Sequence, residues 1–296
     1  MPLPPSHDDV IAAVTGGALP RHLHIDAGRV RLHCLEWGDP AAAPVLLVHG
    51  NGGHAHWWDP LVPHLAPGRR LIAPDLRGHG ESDWPAEPAY GIADCAADLA
   101  ALLDVLALPR VAVVAHSMGA RIAVWLAAHR PEHVRGLALL DTSLAGVDEA
   151  TARQWRGRMV GQRQGRSYAT RDAARAAFRF VPPEPDVPAA IADDLAVHAI
   201  VERAPGEWAF RFDRAVLSLD GDGAGNLLDL AAGLRCPLWI GRGTGSFVTR
   251  RREIAALQAR RGDVETHDFA GAHHFFLSHP RAAGEALRAF LDRLPA

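Results

Sequence analysis

The chain has 296 residues, 48% of them hydrophobic and 22% charged, enough to bury a large core in one domain plus an insertion and unlike a disordered chain. Its formal net charge of −3 is too near neutral to point to a nucleic acid or a membrane surface as partner. Every basic side chain besides histidine is arginine, so Schiff-base chemistry and a lysine base are excluded. Cys34, Cys95 and Cys236 are odd in number and far apart, which fits free thiols in a reducing compartment. No signal-peptide pattern opens the chain and no apolar run approaches a membrane span, so the cytoplasm is the expected location.

Residues 1–20 are rich in proline and glycine and are expected to be a loose lead-in. Arg21 to Trp37 alternates in patches and predicts two antiparallel strands around the turn Asp26-Ala-Gly28. Pro44 to His49 is a buried strand that runs into the glycine-rich loop Gly50-Asn-Gly-Gly53. His54-Ala-His-Trp-Trp58 opens a helix. Arg70 to Pro74 is a further strand, followed by Asp75-Leu-Arg-Gly-His-Gly-Glu-Ser82. Residues 92–107 carry Ala93, Ala96, Leu99, Leu102, Leu103 and Leu106 at helical spacing.

From Val111 to Ala115 every residue is apolar, as in a strand buried on both faces of a parallel sheet. From Met118 the apolar positions Ile122, Ala123, Trp125, Leu126 and Ala127 fit one helical face. Ser117 stands between the two, with small residues at Ala115 and Gly119. A serine at such a sharp strand-to-helix turn adopts a strained backbone, and its hydroxyl stands clear of the sheet edge at the positive end of the helix. Val134 to Leu140 is a strand ending at Asp141-Thr-Ser143.

The pattern changes over residues 143–231, where charged and aromatic residues fall at helical spacing without a clear strand. Trp155, Tyr168, Phe178, Phe180, Trp208, Phe210 and Phe212 lie here, Arg156 and Arg158 read as a solvated face, and Pro182-Pro183-Glu-Pro185 breaks the segment. Strand character resumes at Cys236 to Gly241, followed by a helix over 250–261. Val264 to Phe269 is the last strand, then Gly271-Ala-His-His-Phe275, and Pro280 to Leu294 closes as an amphipathic helix.

Strands alternating with helices predict an α/β fold, a mostly parallel twisted sheet with helices on both faces. Ligands then bind at the carboxyl ends of the strands. The informative residues are therefore His49 to Gly53, Asp75 to Ser82, Ser117, Asp141, Gly241 to Ser246, and His273 with His274.

Four motifs in order give these positions a family resemblance: His49-Gly50, Asp75-Leu-Arg-Gly-His-Gly-Glu-Ser82, His116-Ser-Met-Gly119 and Gly271-Ala-His-His-Phe275. Together they resemble the α/β-hydrolase family. The resemblance implies a hydrolase core over 21–142 and 232–296, interrupted by a helical lid over 143–231. Serine at the elbow disfavours epoxide hydrolases and haloalkane dehalogenases of the usual kind, which carry aspartate there.

In that setting Ser117 is the candidate nucleophile, and it needs a base to take its proton during attack. Aligning the final His-Phe pair makes His274 that base; His273 stands where the family has glycine and reads as a rim residue or a backbone contact. The family's carboxylate usually follows the strand ending at Gly241, but the loop to Glu253 has none, and Ser246 stands at the expected place. Asp141, after the preceding strand, is then the expected acid, with Glu253 or Asp268 as fallback. Main-chain N–H groups of Asn51 and Met118 are expected to form an oxyanion hole. Gly50, Trp57, Trp58 and His116 are expected to line the substrate pocket, and Gly52 and Gly53 to let the backbone approach substrate. Asp75 and His79 read as scaffold.

His54-Ala-His56 with Asp59 has metal-ligand spacing but reads as pocket lining, and neither metal nor cofactor is expected. The implied activity is hydrolysis of a small-molecule ester, lactone or similar acyl bond through an acyl-enzyme. Carbon–carbon bond hydrolysis, acyl transfer and perhydrolysis use the same groups, and a receptor-like binding protein is the reading from another class. The expected partner is a small-molecule substrate, on a monomer or homodimer.

Overall fold

A computed structural model describes residues 14–108, 110–145, 167–218 and 227–295. The lead-in over 1–13 and the positions Trp155, Arg156 and Arg158 lie outside the described residues.

Ten strands are described: β1 (Arg21–Asp26), β2 (Arg31–Trp37), β3 (Ala43–Val48), β4 (Arg69–Pro74), β5 (Val111–His116), β6 (Val134–Leu140), β7 (Ile200–Ala204), β8 (Glu207–Phe210), β9 (Leu238–Gly243) and β10 (Val264–Phe269). Eight of them form one sheet in the order β1-β2-β4-β3-β5-β6-β9-β10. β1 and β2 pair antiparallel, as does β2 with β4, and the other pairs are parallel.

All residues of β5 and β6 are buried, because helices cover both faces. The period of two divides their side chains between two cores. Val113, Ala115, Leu137 and Leu139 join Leu99, Leu102 and Leu103 of the helix Ile92–Val105, and Ile122 and Leu126 of the helix Met118–His129. Ala112, Val114, Ala138 and Leu140 join Phe275, Phe276, Leu287 and Leu291 on the other face, where the helix Pro280–Asp292 lies. Each valine, leucine, isoleucine or phenylalanine side chain removed from water in this way stabilises the fold by about 1.5–3 kcal/mol, and an alanine by less.

The segment between β6 and β9 departs from the helical expectation set by its pattern. It holds the helices Arg171–Ala176 and Ala189–His198, and also a hairpin of β7 and β8. The hairpin turns at Pro205-Gly206, with Gly206 at φ 75°, a conformation glycine adopts without a Cβ penalty. Ile200 and Val201 before the turn and Trp208 and Phe210 after it were the strand signal within this charged stretch. Isolated bridges from His79 to Phe212 and from Tyr168 to Trp208 tie the hairpin's surroundings to the core and to its own segment. Among the described residues no helix is long and apolar enough to cross a membrane.

Candidate active site

Ser117 sits at φ 53°, ψ −117°, between the last residue of β5 and the first of the helix Met118–His129. Two glycines make room for this strained turn. A Cβ on Gly119 would lie 2.4 Å from the carbonyl oxygen of His49, and one on Gly50 would lie 3.0 Å from Ser117 Cβ. The Ser117 N–H donates to Leu140 O at 3.0 Å, which fixes the elbow against the end of β6.

Asp141 follows directly after β6, also with positive φ, 42°, and is fully buried. Its Oδ1 accepts from Ser246 Oγ at 2.7 Å and Thr249 Oγ1 at 3.2 Å, and its Oδ2 from Gly243 N–H at 2.9 Å. Ser246, at the place where the family carries its acid, thus supports a carboxylate that comes from the neighbouring strand. A Cβ on Gly243 would meet Ala272 O at 1.9 Å, so glycine is needed for this loop to pass the histidine turn.

The histidine that meets Ser117 is His273. Its Nε2 lies 3.0 Å from Ser117 Oγ and its Nδ1 3.2 Å from Asp141 Oδ1, and the residue is 3% exposed. This corrects the expectation for His274. The His274 ring turns the other way, edge-on to Trp57 at 5.0 Å and against Phe180 at 5.5 Å. Consecutive side chains of a turn diverge, so only one of two adjacent histidines can face the elbow.

A residue unmarked by the sequence reading holds that choice. Glu184, buried within the Pro182-Pro183-Glu-Pro185 run, accepts Ala272 N–H at 2.9 Å, His274 N–H at 2.7 Å and Ser278 Oγ at 3.1 Å. It therefore grips the main chain on both sides of His273. Its burial is what calls for these partners, and burial is not visible in a proline-rich breaker run.

His116 is buried beneath the site, and burial followed by its cationic-capable neighbour His273 drives its pKa well below the ordinary histidine value. The neutral ring donates from Nε2 to His273 O at 3.0 Å. Trp57 packs on both His116 and His274. Trp58 does not reach this cluster: it is fully buried and stacks on Phe276 at 5.4 Å, a core side chain rather than the pocket lining expected. The pair expected at metal spacing serves separate contacts, His54 Nε2 to Leu195 O at 3.1 Å and His56 Nδ1 to Asp59 at 2.8 Å. His116, His273 and His274 do each place one ligand atom within 4.8 Å of the others.

The loop after β3 is held from below. Gly52 N–H donates to His79 Nε2 at 3.1 Å, Gly53 N–H to Gly50 O at 3.0 Å, and Leu76 N–H to His49 Nε2 at 3.0 Å. Asp75 anchors the same region, accepting Ala55 N–H at 2.6 Å, Glu81 N–H at 2.9 Å and His33 Nδ1 at 2.7 Å. Burial alone would raise its pKa, but the His33 hydrogen bond and the nearby His33 and His49 rings outweigh it, and the carboxyl is held well below the usual range. Asp75 and His79 thus act on the position of the Gly50–Gly53 loop. Asn51 lies on that loop, and Met118 opens the helix after Ser117.

The chain is similar to known proteins in sequence and fold. A family model described as the alpha/beta hydrolase fold matches residues 43–177. The esterase Rv0045c of Mycobacterium tuberculosis is 33% identical over 290 residues, spanning 95% of this chain and 92% of that protein. The lipase LipV of the same organism is 42% identical over 116 residues, 39% of this chain and 43% of its own. The crystal structure of an E-2-(acetamidomethylene)succinate hydrolase superposes with a TM-score of 0.82 at 25% identity, covering 92% of this chain and 99% of the other. With one relative a third identical along nearly the whole length of both chains, the chain belongs to the α/β-hydrolase family and is a hydrolase.

Proposed function

We propose that this enzyme cleaves small-molecule esters through a covalent acyl-enzyme on Ser117. The carrying observation is the continuous contact from Ser117 Oγ to His273 Nε2, and from His273 Nδ1 to Asp141 Oδ1. Ser117 Oγ attacks the ester carbonyl carbon while its proton passes to His273 Nε2. Asp141 orients the ring by accepting a hydrogen bond from Nδ1–H and stabilises the imidazolium. The carbonyl electron pair moves onto oxygen, which the N–H groups of Asn51 and Met118 stabilise. Support for these donors is that helix N-terminal N–H groups lack an intrahelical acceptor, and that the Gly52 and Gly53 N–H groups are already spent on His79 Nε2 and Gly50 O. Collapse of the intermediate breaks the ester C–O bond, and the alcohol leaves with the proton from His273. Water then repeats the sequence and releases the acid.

The acyl or alcohol part would rest on Trp57, Phe180 and His274. The segment over 143–231 serves as the lid, a reading supported by Phe178, Ile191 and Leu195 packing into the same core cluster as Trp57. A small, neutral substrate fits a wall of this kind. A cytoplasmic location fits three cysteines that are free and buried.

A fluorophosphonate probe followed by peptide mapping tests the nucleophile, with p-nitrophenyl esters of increasing acyl length as substrates. Modification of Ser117, lost in Ser117→Ala, together with ester turnover is the expected result. Labelling at another residue, or labelling without any ester turnover, would reject the ester hydrolase reading.

A further inference from the structure

At the far end of the sheet, three side chains outside the triad converge on one point. β1 and β2 pair so that His24 lies opposite His33 and His22 opposite Leu35. The period of two then puts His22, His24 and His33 on one face of the hairpin. His22 Nδ1 lies 2.9 Å from His33 Nε2. Glu81, from the loop after β4, brings a carboxylate to the same place, and one ligand atom from each of His22, His33 and Glu81 lies within 4.8 Å of the other two. His33 is buried, whereas His22 and Glu81 are exposed, so a solute reaches the cluster directly from solvent.

The geometry points to a binding site for a divalent transition metal of the zinc class, with His22, His33 and Glu81 as its protein ligands. Two imidazoles and one carboxylate form a recurrent zinc donor set that leaves a position for water. The second layer is already in place. Asp75 Oδ2 accepts a hydrogen bond from His33 Nδ1–H at 2.7 Å, which leaves Nε2 as the lone-pair nitrogen aimed at the site. The same oxygen accepts the Glu81 N–H at 2.9 Å, so one buried carboxylate positions two of the three ligands.

Tetrahedral zinc with bonds of about 2.0–2.1 Å separates two nitrogens by about 3.3–3.4 Å. The present 2.9 Å therefore has to open by about half an ångström, which the exposed His22 permits. His22 moves its own proton from Nδ1 to Nε2 and presents the freed nitrogen, with no change in oxidation state. Glu81 holds Arg211 through Oε1 at 2.9 Å, and ligates through Oε2. The metal would thus link the edge hairpin to the loop that contacts the segment carrying Arg211.

The test uses metal-free full-length protein titrated with Co2+, read by its visible d–d absorption, and with Zn2+, read by calorimetry and thermal unfolding. The wild type is expected to bind one Zn2+ per chain and to melt at a higher temperature with it. His22→Ala and Glu81→Gln should each weaken binding at least about tenfold while leaving metal-free ester turnover unchanged, and the rise in melting temperature on adding Zn2+ should shrink with the affinity. Failure of the wild type to bind Zn2+ below millimolar concentration overturns the proposal, as does equal affinity in His22→Ala. Zinc that binds His22→Ala as tightly and stops ester turnover would sit on His116, His273 and His274 instead, and overturns it equally.

Discussion

His273 and His274 are the same residue type in adjacent positions, and only direction separates their roles. His273 spans Ser117 and Asp141, while His274 packs on Trp57 and Phe180. His273→Ala should therefore lower kcat at least about 10³-fold. His274→Ala should change kcat by less than about tenfold and act mainly on KM, since an aromatic wall bears on binding. Steady-state kinetics on one p-nitrophenyl ester measure both, and equal losses in kcat would reject the assignment. The same logic separates the carboxylates. Asp141→Asn should cost about 10²–10⁴ in kcat, the loss that follows from removing the acid of a serine triad. Glu253→Gln should leave kcat near wild type, because Glu253 accepts from Ser143 Oγ at 3.0 Å and Leu144 N–H at 3.1 Å and has a structural task. A kcat loss confined to the Glu253 variant would reverse the roles.

At the scale of elements, the histidine turn is held by a carboxylate from a different segment. Glu184 accepts two main-chain N–H groups that flank His273, and charge-assisted bonds of this kind are the stronger class. Glu184→Gln keeps one acceptor oxygen but introduces an NH2 facing N–H donors, so the turn should loosen. The expected effect is a fall in kcat of roughly tenfold with KM little changed, and partial recovery in Glu184→Asp. An unchanged kcat in a folded Glu184→Gln protein would show that the turn holds His273 without it. The supporting residue was hidden in the sequence because Pro182-Pro183-Glu-Pro185 reads as a breaker, which says nothing about where its carboxylate points. The elbow was legible for the opposite reason. An apolar strand, a serine, small neighbours and a helix are all local, although the steric need for Gly119 comes from the main chain of Val48 and His49 at the end of β3.

At the scale of the whole molecule, the inserted segment docks on the core through buried polar groups. The helix Ala189–His198 sets Asp194 beside the Asp59 region of the core, where His56 stacks on His198 with ring centroids 3.3 Å apart. Burial first, and then the Asp59 charge, push the Asp194 carboxyl up to about 7, against the opposing pull of His56. Facing it are Asp59 and His56 from the core and His198 from its own helix, with His54 beyond His56. An ordinary carboxylate in the unfolded chain titrates near ~3.9. Between about pH 4 and 7 the native state thus holds a proton that the unfolded state has lost, and stability falls as pH rises through that window. Asp194→Asn should remove this fall. It should stabilise the protein at pH 8 by on the order of 2–4 kcal/mol and have little effect below pH 4, as read by denaturant unfolding across pH. A constant difference between variant and wild type at all pH values would exclude the titration.

The sequence by itself determined the elements of the core and their order, though not the β7–β8 hairpin of the inserted segment, because strand and helix periodicity and turn chemistry act over a few residues. It carried the parallel sheet, the elbow at Ser117, the motif order that marks the family, and the departure after Gly241 that turned attention to Asp141. Tertiary structure alone decided what depends on groups far apart in the chain. Asp141 and His273 are separated by 132 positions, and Ser117 and His273 by 156. No local pattern says which of two adjacent histidines faces inward. The same holds for Trp58 entering the core against Phe276, for Ser246 turning to Asp141, and for Glu184 reaching the histidine turn. Packing and the need to satisfy buried polar groups set those directions, and both come into being only when distant segments meet.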